Sequence, residues 1–278
     1  MSGSEPSSGI VVRRLRFVSR SAATGRVCRT FKHPRLCLAV DEPAALADFG
    51  PKPAAQEPAD ELLVAFVPPG AVAEWKAIGD GLFPPPTPDT PTTDVTWRGG
   101  KVQWQPGRAV VHLTGAAQDE VLSALAEFAF YEAELRRLEA EMDAHEASAA
   151  DDVGRAHTIR RRDKAHWPRF TATIEALARM RLTFARLAPR FSEDPSAPGP
   201  LSHRLASRLF LHARAEARAE ALDARLEACE DLYEGANDRV ADIKGWHDGF
   251  IMELIIVVLL LLEVVLLCGD LLMRSMGE

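Results

Sequence analysis

The sequence is short of aromatic residues, of cysteine and of positive charge, and each shortage removes a class of protein. Aromatics make up only 7%, a composition that favours helix over sheet because aromatics are enriched in strands. The four cysteines, Cys28, Cys37, Cys229 and Cys268, show no CxxC or zinc-finger spacing. That argues against a disulfide-stapled scaffold and points to reduced thiols in a reducing compartment. Acids outnumber bases 40 to 33, for a net charge of −7. A protein that coats nucleic acid generally needs the opposite balance. No GxSxG, HExxH, GxxxxGK[ST] or dinucleotide fingerprint occurs, so the pattern predicts neither an enzyme nor a cofactor. His157 and His166 lie nine apart, as do His203 and His212, which is poor spacing for two metal ligands on one helix face.

What is present averages to an ordinary soluble protein of one or two domains. The chain is 278 residues long, 47% hydrophobic and 26% charged, with a mean hydropathy of −0.09. The average conceals a concentration of apolar residues at 250–268, broken only by Glu253 and Glu263. As a helix this segment rises about 28 Å, close to the roughly 30 Å thickness of a bilayer's hydrocarbon core. Its Leu, Ile, Val and Phe residues favour insertion by roughly 4 to 9 kcal/mol in total, against about 3 kcal/mol for Glu263. A transmembrane helix over 250–270 is therefore predicted, with a short tail at 271–278 in the manner of a tail anchor. The flanking charges are balanced, Arg239 and Lys244 against Asp242 and Asp248, and Arg274 against Asp270 and Glu278. Orientation is left open by the positive-inside rule. Glu263 is read either as a membrane helix–helix contact or as a carboxyl tolerated by a strongly apolar helix.

Residues 1–9 are rich in Ser, Gly and Pro and read as disordered. Residues 10–35 hold eight Lys and Arg and no acid, which suits either a mitochondrial presequence or a first strand with Leu15 and Phe17 on one face. Further strands are predicted at 36–40, 61–67, 95–97, 102–104 and 109–113, with turns at Gly99-Gly100 and Pro106-Gly107. Residues 71–75 extend the third strand past a turn, and the proline-rich 83–91 is a stiff loop. The head domain is thus placed at 10–115.

From 116 the periodicity becomes helical. Val121, Leu122, Leu125, Phe128, Ala129, Leu135 and Leu138 mark one helix, and a second is expected at about 153–187, kinked or interrupted by Pro168. The acids of 132–141 read as a solvated helix face. A helical region at 116–188 and a Pro-rich linker at 189–200 precede a stalk at 201–249, which nothing in the sequence stops before the membrane. Along it Ala215, Ala219, Leu222, Leu226, Cys229, Tyr233, Ala236, Val240 and Ile243 are spaced 4-3-4-3-4-3-4-3. That is a heptad register, which suits an intermolecular coiled coil and an intramolecular bundle equally well. One more cluster is basic: Arg160, Arg161, Arg162, Lys164 and Arg169 surround Trp167. It is a candidate contact for RNA or anionic lipid, set against a plain solvated helix.

Three segments carry a family likeness. They are 62–75 (LLVAFVPPGAVAEW), 124–132 (ALAEFAFYE), and the run from Leu222 through Trp246 to Leu267, where a heptad helix enters an apolar span holding Glu263. In these the chain resembles the family named for being required for meiotic nuclear division. The likeness implies an α/β head, a helical stalk and a membrane anchor, without enzymatic activity. It also implies a homo-oligomer that supports translation: a bacterial member would sit in the cytoplasmic membrane with its head in the cytoplasm, a eukaryotic one at the mitochondrial inner membrane.

The expectation is thus an α+β protein, with a small N-terminal head, a helical bundle or coiled-coil stalk, and one C-terminal transmembrane helix. Its predicted role is a non-enzymatic oligomeric scaffold or tether in membrane lipid, presenting the head to a ribosome or another soluble complex. The alternative is a transport or channel component, since the head–stalk–membrane layout is similar to that of CorA-type magnesium channels. Those need a second span and a Gly-Met-Asn loop, where this sequence has only 268–278 after its span.

Overall fold

The structure is a computed structural model and describes residues 9–45, 48, 60–68, 92–97, 100–113, 117–157, 167–192 and 195–275. The chain divides into two compact units. One comprises Met1–Asp143 and Arg179–Arg225, the other Ala144–Ala178 and Leu226–Glu278.

The first unit is built on a mixed sheet. Its strands are Val11–Val18 (β1), Arg26–Phe31 (β2), Cys37–Ala44 (β3), Glu61–Val67 (β4), Thr93–Trp97 (β5), Gly100–Gln105 (β6) and Arg108–Leu113 (β7). They lie in the order β2-β3-β1-β4-β7-β6-β5. All neighbours are antiparallel except β4 and β7, which run parallel at the centre. The sequence explains that position. From Leu62 to Val67 every residue of β4 is apolar and buried, the pattern of a strand covered on both faces. On one face Val12, Leu63, Ala65, Val67 and Val110 form a small cluster with Ile10 and Ala44. The β6–β7 hairpin turns at Gly107, whose φ of 74° suits glycine. At Gly100 the two strands approach so closely that a Cβ would meet the His112 carbonyl oxygen at 2.1 Å.

Five helices follow among the described residues: Gln118–His157 (α1), Trp167–Leu187 (α2), Pro189–Ser192 (α3), Pro200–His212 (α4) and Ala215–Ser275 (α5). Aromatic rings fasten α1 to the other face of the sheet. Phe130 stacks on Phe31 at 4.2 Å between centroids and lies 5.8 Å from Phe17, while Phe128 meets Trp104 edge-on at 4.7 Å. Phe210 of α4 closes on Phe128 at 5.2 Å and on Phe191 at 6.0 Å.

The α+β class, with a sheet-bearing head ahead of the helices, is as the sequence predicts. Several finer expectations are corrected. Strand β2 is additional to those predicted, and its polar, half-exposed pattern gives no alternation to read. The first helix continues to His157, so Val153 belongs to it. The second begins at Trp167 with Pro168 in its first turn, where a missing N–H costs nothing. The helix expected to run unbroken from Leu201 is interrupted at Ala213 and Arg214. Arg214 adopts a φ of 50°, a conformation costing roughly 1–2 kcal/mol outside glycine. Burial of Leu205, Leu209 and Phe210 on α4 and of Ala215, Ala219 and Leu222 on α5 offsets that cost. Residues 1–8, 71–75 and 83–91 lie outside the described residues.

Of the acids expected to form a solvated face, Glu141 is exposed, while Glu132, Glu134 and Glu139 are drawn into ion pairs. Glu132 and Glu134 are 1% and 3% exposed. Glu132 accepts hydrogen bonds from Arg136 at 2.8 Å and Arg218 at 2.7 Å, and Arg218 also grips both oxygens of Glu139 at 2.9 and 2.6 Å. Glu134 pairs with Arg35 and Arg137, each at 2.8 Å. Burial alone would lower the Arg218 guanidinium's pKa, but Glu139 and Glu132 hold it above its usual value.

Candidate membrane-spanning helix

Helix α5 changes character along its length. In its first part the heptad stripe is turned inward: Ala215, Ala219, Leu222, Leu226, Cys229, Tyr233, Ala236 and Val240 are all buried within the single chain, and Ile243 is half-buried. The chain therefore fills this stripe from its own residues, as in a bundle, and no second chain is needed to cover it.

In the second unit specific polar contacts hold α5. Tyr233 is fully buried and donates a hydrogen bond to Asp152 at 3.1 Å. Asp152, 1% exposed, also pairs with Arg169 at 3.2 Å. Phe170 lies 6.0 Å from the Tyr233 ring. Burial, reinforced by the Asp152 charge and hydrogen bond, pushes the Tyr233 phenol up to about 12. Six residues further along α5, Arg239 donates to the Ala156 carbonyl at 3.1 Å, close to the C-terminal end of α1, where free carbonyls favour a cation.

Beyond Ile243 the helix continues, and no residue whose burial is described, up to Leu266, is buried. Trp246 is 84% exposed, and every residue of 250–266 is exposed, all large and apolar apart from Glu253 and Glu263. Gly249–Leu266 has a mean hydropathy of 2.8 with none of it buried, and is long and apolar enough to cross a membrane. Soluble proteins rarely leave more than a few hundred Å² of contiguous apolar surface in water. A helix apolar on all sides belongs in a core or a bilayer, and this one is in no core.

The other predicted site residues are distributed unevenly. Arg160, Arg161, Arg162 and Lys164 lie outside the described residues. Trp167 opens α2, half-buried, and Arg169 is committed to Asp152 inside the protein. The buried carboxylates were missed by the sequence reading. Glu127, 1% exposed, accepts from the Ser196 N–H and hydroxyl at 2.9 and 2.8 Å and faces Arg29 at 3.1 Å. Glu132 with Arg136 and Glu134 with Arg137, four and three apart on a helix, gave a local sequence signal of pairing.

Among the described residues no cluster of three His, Cys, Asp or Glu is arranged to hold a metal. A half-open cavity of about 420 Å³ lies beside α4 and the start of α5. Phe191, Phe210 and Leu211 form part of its wall, and among the described residues the charged ones lining it are Arg214 and Glu216, both exposed.

No protein-family model and no curated protein matches the chain. Among solved structures it is similar to the full-length CmaX protein, at 10% identity and a TM-score of 0.37, over 89% of this chain and 83% of that one.

Proposed function

We propose that this is a non-enzymatic membrane protein, held in the bilayer by α5 over Gly249–Leu266 and presenting its sheet-bearing unit to a soluble partner. The observation that carries the reading is the exposure of every apolar side chain from 250 to 266 on a helix whose earlier stripe, from Ala215 to Val240, is buried. The resemblance to the family required for meiotic nuclear division supports a role as scaffold or tether for the translation machinery. It also supports a bacterial cytoplasmic membrane, or a mitochondrial inner membrane in a eukaryote. The basic residues around 160–169 are the contact proposed for RNA or anionic lipid, with Arg169 excepted because Asp152 occupies it.

Alkaline carbonate extraction tests the anchor. The full chain is expected in the membrane pellet, and recovery in the wash defeats the reading. Crosslinking in native membranes followed by mass spectrometry tests the partner, with ribosomal proteins as the expected capture.

A second reading, a transport component with a CorA-like layout, is favoured by one feature. Helix α5 runs without a break from its packed stripe through the apolar segment, so movement of one part is carried directly to the other. Magnesium flux into vesicles containing the purified chain would support it over the tether.

A further inference from the structure

The apolar segment of α5 carries a second heptad face, distinct from the stripe that packs inside the chain. Trp246, Gly249, Glu253, Ile256, Leu260 and Glu263 follow one another at 3-4-3-4-3 spacing, which places them along a single seam of the helix. All six are exposed. Both acids of the segment fall on this seam. The parallel row that continues the packed stripe, Phe250, Leu254, Val257, Leu261 and Val264, carries none.

Glu263 needs a partner that its own helix cannot supply. The residues one turn to either side, Leu259, Leu260, Leu266 and Leu267, are all leucine. The next charged residue, Asp270, is about two turns further on. A carboxyl group in hydrocarbon is costly unless hydrogen-bonded. Copies of one chain insert with the same topology, so in a parallel assembly Glu263 of one copy lies at the same depth as Glu263 of the next. A carboxyl group carries both donor and acceptor capacity when one proton is shared between two such groups. Gly249 adds room at the membrane edge, because a side chain there would meet nothing of its own protein.

We propose that a second copy of this chain docks on the Glu253–Ile256–Leu260–Glu263 face, as parallel helices joined by a hydrogen-bonded carboxyl pair at Glu263. This rests on the membrane reading above. It moves self-association away from the Leu222–Val240 stripe, which is already filled, to a face the sequence pattern leaves open.

The test uses the full chain, fused at its N-terminus to donor or acceptor fluorescent proteins and reconstituted in phosphatidylcholine vesicles. Energy transfer between copies is expected. Glu263→Gln should preserve it, because an amide also donates and accepts, whereas Glu263→Leu should weaken association about tenfold. Transfer unchanged by Glu263→Leu overturns the proposal. A photo-crosslinking residue placed at 256 or 260 should give dimers, and one at 258 or 265, on the opposite side of the helix, should not; the reverse pattern also overturns it. A chain that stays in the vesicles without transfer defeats this inference and leaves the anchor standing. A chain that washes out of the vesicles defeats both.

Discussion

At the scale of single residues, the protein depends on charges kept out of water. Glu132 is the sharpest case, since its buried carboxylate holds Arg136 and Arg218 together. Removing one member of a buried pair strands the others. Glu132→Ala should therefore cost about 3 kcal/mol of stability, read from denaturant unfolding in detergent. Tyr233 makes a related point through its proton. Its phenol, raised to about 12 by burial and by Asp152, stays neutral in the folded state where a free tyrosine near pH 10 ionises. That difference stabilises the fold fully below about pH 10 and is lost as pH climbs towards 12. The chain has two tyrosines, and burial raises Tyr131 as well. Phenolate absorbance should then appear later than in free tyrosine, and Tyr233→Phe should remove the part that belongs to this site.

At the scale of elements, the break between α4 and α5 is where local preference and packing disagree. Arg214 at a φ of 50° is strained, and Arg214→Gly should raise stability by about 1 kcal/mol, visible as a higher Tm. The opposite is expected at Gly100, where a Cβ would strike the His112 backbone. Gly100→Ala should separate β6 from β7 and lower Tm by several degrees. Both sites also show how far the elements were legible. The apolar run of β4, the Gly107 turn and the heptad stripe of α5 carry their own periodicity and could be read directly. The Arg214 turn holds no glycine or proline, and it exists because the apolar stripes before and after it need burial. The pairing of Glu132 with Arg218 spans 86 positions, and nothing local announces it.

At the scale of the whole molecule, the apolar segment was the most legible feature, since eighteen residues at a mean hydropathy of 2.8 need no tertiary context to be recognised. What covers the heptad stripe was not legible, because a coiled coil and a bundle share one pattern. Placing Arg at Leu259, mid-segment, adds roughly 3 kcal/mol to the cost of insertion. It should shift part of the chain from the pellet to the carbonate wash, and unchanged retention would count against a spanning helix.

The pinning of α5 by Tyr233 and Arg239 also fixes an angle. Each residue of a helix turns the chain by about 100°, so the azimuth of Glu263 is set by the thirty positions that separate it from Tyr233. The helix acts as a keyed shaft whose outer end cannot be re-aimed without changing its count. One alanine inserted after Gly245 would rotate the Glu253–Glu263 seam by roughly a quarter turn. Seven inserted residues would restore its phase to within about 20° while lengthening the shaft by about 10 Å.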